Sequence, residues 1–292
     1  MREQTGSEFQ ERVVNLNFNR MRKIANIALR RASLFIAFAT NAVSCKPEIG
    51  FNLEDKFQFR FTDLEKFDDE LKHNARLEFE KWVIGNSLRD LVDAFSLYMA
   101  NCLTCCHIMD THQYDEEKIQ KKFEKVEKYS VTEQIREFSK YIDVDLQFED
   151  MFSTLLTARN CLSHNLGIVR KKDINTQLNN FSLRWVYLAF FISKPDGQAV
   201  EIDSGNIGTD AAYVKEGAKI QIKRAMRERL FEEGGTISLT RHELGEICMG
   251  FNIAITHVNQ KLFELARARG IPEANETGES LPVTSPVPPS SS

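Results

Sequence analysis

The sequence predicts a mainly α-helical protein, an antiparallel helical bundle with a small C-terminal α+β extension. Three observations predict it. Apolar residues recur at three- and four-residue steps over long runs, the period of helices with one buried face. Two capping boxes, Ser130-x-x-Glu133 and Thr240-x-x-Glu243, mark helix starts. After Gly167 the character changes to short aromatic and β-branched runs divided by turn residues. The expected organisation is a helical bundle over 1–167, an α+β extension over 168–271 packed on it, and a disordered tail over 272–292, rich in Pro, Ser, Thr and Glu and poor in core formers.

Residues 8–46 read as one helix or a broken pair. Val13, Leu16, Met21, Ile24, Ile27, Leu34 and Phe38 form its apolar face, beside a basic band of Arg20, Arg22, Lys23, Arg30 and Arg31. Such a band is usually a solvated face, and it also suits phosphate contacts. Pro47 ends the helix. Residues 48–67, with Phe51, Phe57, Phe59 and Phe61, read as a short strand or packed loop. A long helix is expected over 70–109, with Leu77, Trp82, Leu88, Leu91, Val92, Phe95, Met99 and Cys102 inside and a kink possible at Gly85. Asp115–Lys128 is a short charged helix, and the first capping box opens another to about Ile142.

Beyond Gly167, Phe181–Ile192 reads as a strand, Lys194-Pro-Asp-Gly197 as a turn and Gln198–Ile202 as the return strand. Residues 203–217 read as a loop. Lys219–Arg229 is ambiguous between strand and helix. Thr236–Leu239 reads as a short strand. The second capping box opens a helix to about Arg269, with Leu244, Ile247, Phe251, Ile255, Val258, Leu262 and Leu265 inside and Gly270 and Pro272 ending it.

Composition bounds the function. The 292 residues carry a net charge of −4, which excludes a globally basic nucleic-acid binder, so any nucleic-acid contact uses a local patch. No uninterrupted apolar run reaches the roughly 18 residues of a membrane span. With a polar amino terminus, the expectation is a cytoplasmic protein with no membrane partner. Six cysteines show no disulfide spacing. The run C-L-T-C-C-H at 102–107 invites a zinc reading, but no second C-x-x-C or His pair accompanies it. The expectation is buried thiols, no metal and no other cofactor. There is no internal repeat, phosphate-binding glycine loop or nucleophile elbow.

The chemistry concentrates in Asp150–Val169. Phe148, Met151, Phe152, Leu155 and Leu162 form an apolar stripe at the helical period. Arg159 falls within that stripe, so its charge calls for a carboxylate, a partner chain or an anionic ligand. Asn160 and His164 share a face, as do Arg159 and Ser163. Arg159 and His164 stand roughly 140° apart around an ideal helix. They converge only through the reach of the arginine, unwinding before Gly167, or a second chain. A purely structural reading pairs Arg159 with a buried carboxylate and lets His164 favour the helix carboxyl end.

The run R-N-C-L-S-H-N at 159–165, ending a helix in an all-helical region, resembles the Arg-x4-6-His signature of HEPN domains, in which a polar residue follows the arginine. The resemblance implies a HEPN-like antiparallel helical bundle. It implies a metal-independent endoribonuclease that uses the RNA 2′-hydroxyl as nucleophile and leaves a 2′,3′-cyclic phosphate. Arg159, His164 and Asn160 are the catalytic candidates. Ser163, Arg170, Lys171 and Lys172 are the candidates for RNA contact. The resemblance further implies a homodimer with both motif helices lining one groove, and a toxin or antiviral defence role with a possible regulatory or antitoxin partner. The alternative it allows is a non-catalytic nucleotide- or partner-binding module.

Overall fold

The computed structural model describes residues 16–44, 68–111, 115–175, 179–193, 199–201 and 219–271. Pro47, the segment 48–67, the turn 194–197, the loop 203–217 and the tail 272–292 lie outside them. The elements run α1 (Phe18–Ser44), α2 (Asp69–Thr111), α3 (Glu116–Glu127), α4 (Val131–Phe138), α5 (Leu146–His164), a 3-10 turn (Lys171–Asp173), β1 (Phe181–Ser193), β2 (Ala199–Glu201), β3 (Lys219–Phe231) and α6 (Arg241–Ala268). The fold is thus mainly helical, with one small antiparallel sheet.

Side-chain caps fix where most of the later helices begin. Asp115 accepts from the Lys118 amide at 3.2 Å, and Asp145 from the Gln147 amide at 2.9 Å. Both capping boxes form. Glu133 accepts from the Ser130 amide at 2.7 Å while Ser130 Oγ accepts from the Glu133 amide at 3.2 Å. Thr240 and Glu243 repeat those two bonds at 2.7 and 3.2 Å. Each cap satisfies an amide the helix leaves unpaired, a gain of about 1 kcal/mol.

The sheet order is β2-β1-β3. β1 and β3 pair over their whole length, from Phe181↔Phe231 to Ser193↔Lys219, which resolves Lys219–Arg229 as strand. Residues 236–239 are not a strand. Thr236 makes only an isolated bridge to Ile168, and the neighbouring backbone pins the turn after α5 through Val169 N–H to Gly235 O and Ile237 N–H to Gly167 O.

Two compact units are present. One comprises Met1–Ile24, Ser96–Val144 and Thr256–Ser292, the other Ala25–Phe95 and Asp145–Ile255. Helices α1, α2 and α6 contribute to both, and each unit draws residues from either side of residue 167. In the first, Phe18 meets the Phe263 ring edge-on at 5.0 Å, and Tyr98, Cys102 and Cys106 are fully buried. In the second, the Phe95 and Phe152 rings stack at 3.9 Å and Phe251 meets both edge-on. Gly250 lets α6 approach β1. A Cβ there would stand 2.5 Å from the Val186 carbonyl oxygen.

Val13 lies outside the described residues, and the buried face of α1 keeps Met21 from the expected one but otherwise departs from it. Its line is Phe18, Met21, Ala25, Ala28, Ala32 and Ala39, while Ile27, Leu34 and Phe38 are exposed. Small alanines allow close backbone approach, so the larger residues at the same period fall on the outer face. On α2, Trp82 is likewise 65% exposed and Leu77 is at the surface, because the buried line passes through Val83, Ile84, Leu88, Leu91 and Phe95. By length and composition α2 contains a stretch apolar enough to cross a membrane, but 56% of that stretch is buried in the protein, as in a core helix.

Candidate functional site

Helix α5 presents the motif. Its buried line is Phe148, Met151, Phe152, Leu155, Ala158 and Cys161. Arg159 therefore flanks the apolar stripe rather than interrupting its middle, because Ala158 and Cys161 carry the stripe onward. Its side chain is 27% exposed and meets a carboxylate, one of the partners its charge demands. Nη2 lies 2.8 Å and Nε 3.0 Å from the same oxygen, Asp93 Oδ1, on α2. Nη1 donates to Asn160 Oδ1 at 3.1 Å. A guanidinium has five N–H donors, so these contacts do not use all of them.

His164 is the last residue of α5. It is exposed and makes no hydrogen bond or ion pair among the described residues. The helix does not unwind before it, and the reach of Arg159 is directed to Asp93. Two of the three ways of bringing Arg159 and His164 together are thus unused within this chain. Asn160, exposed and one turn before His164, stands between them around the helix.

The turn after the motif is built around Leu162. Asn165 and Gly167 both donate to the Cys161 carbonyl, at 2.9 and 3.0 Å, and Gly167 has φ 82°. That left-handed conformation suits glycine and closes the helix. Leu166 also has positive φ, 55°, and its side chain is 89% exposed. The Leu162 side chain fits between two glycines. A Cβ on Gly85 of α2 would stand 3.1 Å from its Cδ2, and one on Gly167 3.4 Å. Gly85 thus makes room for the end of the motif helix.

The remaining candidates are placed as follows. Ser163 Oγ is buried and has no hydrogen-bond partner among the described residues, so contact with RNA through it requires its exposure. Arg170 precedes the 3-10 turn that holds Lys171 and Lys172, and Lys171 and Arg170 are exposed. Asp173 accepts the Arg170 amide at 3.0 Å. Burial, then the neighbouring Asp173, pushes the Cys161 thiol up to about 12, so it stays protonated and is no nucleophile. Among the described residues no group of three His, Cys, Asp or Glu could hold a metal ion.

Sequence reasoning missed Asp93. It lies 66 residues from Arg159, and no local pattern joins them. One signal was present, an acid inside the apolar run L-V-D-A-F at 91–95 of a helix that otherwise fills the core. Comparison with protein-family models, with curated proteins and with solved structures finds no match for this chain.

Proposed function

We propose that this chain is a metal-independent endoribonuclease of the HEPN type, acting as a homodimer in a toxin or defence role. The observation that supports it is the polar line Asp93–Arg159–Asn160, which orients a cation on the same helix that ends in His164, an exposed histidine with no hydrogen bond among the described residues. In the reaction a general base takes the proton from the RNA 2′-hydroxyl. The 2′-oxygen then bonds to phosphorus, and the bond to the 5′-oxygen breaks as that oxygen gains a proton. Histidine is the residue type that gives and takes protons near neutrality. The Arg159 guanidinium holds phosphate oxygens as charge builds on them, with Asp93 fixing its orientation. Because Arg159 and His164 diverge around α5, the arginine of one copy serves the histidine of the other in a groove between two motif helices. Arg170, Lys171 and Lys172 guide the RNA backbone. The test is cleavage of RNA in EDTA by the wild type and by His164→Ala, with the product end analysed for a 2′,3′-cyclic phosphate. Cleavage that requires a divalent metal, or that survives the substitution, defeats the reading.

A second reading, a non-catalytic binding module, draws on the same ion pair. Asp93 and Asn160 already satisfy two Arg159 donors, so the arginine has a structural role whether or not RNA is cut. A folded protein without cleavage activity at any assembly state supports this alternative.

A further inference from the structure

Among the described residues the outer edge of β3 has no strand paired to it, and its register is fixed by an observation on the other strand. Arg184 of β1 donates its amide to Thr154 Oγ1 at 3.0 Å, and its carbonyl accepts from the same hydroxyl at 3.1 Å. The Val186 amide likewise points to Met151 Sδ at 3.4 Å. Even-numbered residues of β1 therefore turn their backbone groups away from β3. Their partners on β3 are also even-numbered, Arg184↔Glu228 and Ile192↔Ile220 among them. In an antiparallel pair, residues that do not bond each other point outward. The outward N–H and C=O groups over the exposed end of β3 thus belong to Ile220, Ile222 and Arg224. No backbone hydrogen bond from another described segment reaches them.

We infer that this edge, residues 219–224 of β3, receives an extended partner segment that alternates acidic and apolar residues and adds to the sheet as a fourth strand. All six residues are exposed, and the two β-branched ones are 54% (Ile220) and 58% (Ile222) exposed. Lys219 and Lys223 alternate with them on the opposite face and have no carboxylate partner among the described residues. An added strand places its apolar residues against Ile220 and Ile222 and its acids opposite the two lysines. Lysines on an edge also discourage unwanted pairing. Here they exclude one occupant in particular, because a second β3 would set like charges against each other. RNA is disfavoured because the other cations of the strand are already engaged, Arg224 by Asp145, Arg227 by Glu246 and Arg229 by Glu243. The inference does not depend on RNA cleavage.

The test titrates the full chain into a fluorescein-labelled eight-residue peptide of alternating Val and Glu and reads anisotropy. Saturable binding is expected, with amide-exchange protection confined to residues 219–224. Ile222→Pro removes an outward N–H and no bond to β1, so it is expected to weaken binding at least tenfold while far-UV dichroism is unchanged. Lys219→Glu with Lys223→Glu changes only exposed side chains and is expected to switch preference to a Val–Lys peptide. The absence of saturable binding, equal binding of both peptides by the wild type, or retention of a labelled uridine oligomer in place of the peptide overturns the proposal.

Discussion

Arg159 meets Asp93 through two nitrogens on one carboxylate oxygen, Oδ1, at 2.8 and 3.0 Å, rather than through the parallel two-oxygen fork. The pair orients the guanidinium without occupying all of it. Both side chains keep contact with water, 27% exposed for Arg159 and 49% for Asp93. Its contribution to stability is therefore small, about 1 kcal/mol or less.

Arg159→Ala and Asp93→Ala should accordingly each change unfolding free energy by about 1 kcal/mol or less, with a coupling in the double-mutant cycle below about 1 kcal/mol. Neither loss strands a fully buried charge. Their effects on cleavage should differ. Arg159→Ala abolishes it, whereas Asp93→Ala leaves a misplaced cation and lowers it about 10²-fold. Denaturant titrations and single-turnover cleavage of one RNA check both. A loss of several kcal/mol on removing Asp93 shows a structural pair instead.

His164→Ala should lower cleavage by roughly 10²–10⁴-fold, the usual share of general acid–base catalysis. Its thermal midpoint should match the wild type, because the exposed imidazole bonds to nothing among the described residues. Mixing His164→Ala with Arg159→Ala should restore part of the activity if one copy's arginine serves the other's histidine. Mixtures as inactive as either variant sink the shared-site arrangement.

Gly250→Ala should destabilise the protein although alanine is the better helix former by about 1 kcal/mol. The added Cβ would stand 2.5 Å from a backbone oxygen that cannot swing aside. Crowding of this kind costs about 1–3 kcal/mol beyond that gain. Gly245→Ala on the same helix meets nothing within 4 Å and should stabilise it. Thermal melts of the two variants should move in opposite directions.

Stability should fall as pH rises above about 9. Burial raises the thiols of Cys105 and Cys248 to about 12, and burial with Asp173 raises Cys161 to about 12. Between the ordinary thiol value, 9.0, and those raised values, the unfolded chain loses protons that the folded chain keeps. Ionisation therefore favours unfolding over that window and is without effect below it. Melts from pH 7 to 10 in reducing buffer check the sign. Alanine at these three positions should flatten the alkaline slope.

The parts legible in the sequence are those fixed by neighbours. Ser130 with Glu133 and Thr240 with Glu243 specify helix starts within four residues, and α5 showed its period and its glycine stop. What the sequence hid depends on distant packing. Arg159 looks central when Leu155 and Leu162 alone define the stripe, yet Ala158 and Cys161 complete it one step round the helix. The alanine line of α1 carries little hydrophobicity per residue, so the larger Leu34 and Phe38 misdirect the eye to the outer face. β3 satisfied both periods until pairing with β1 decided it. Asp93 became visible only when α2 and α5 came together.

The division of the chain also sets an order for its completion during synthesis. Phe18 and Phe263 belong to one unit, and their edge contact waits until α6 has emerged from the ribosome. At common translation speeds the first residue waits on the order of ten to fifty seconds for its partner. Throughout that interval the Phe18 ring lacks the aromatic neighbour it meets in the finished protein, where it is buried, so the nascent chain carries an apolar group that folding later covers.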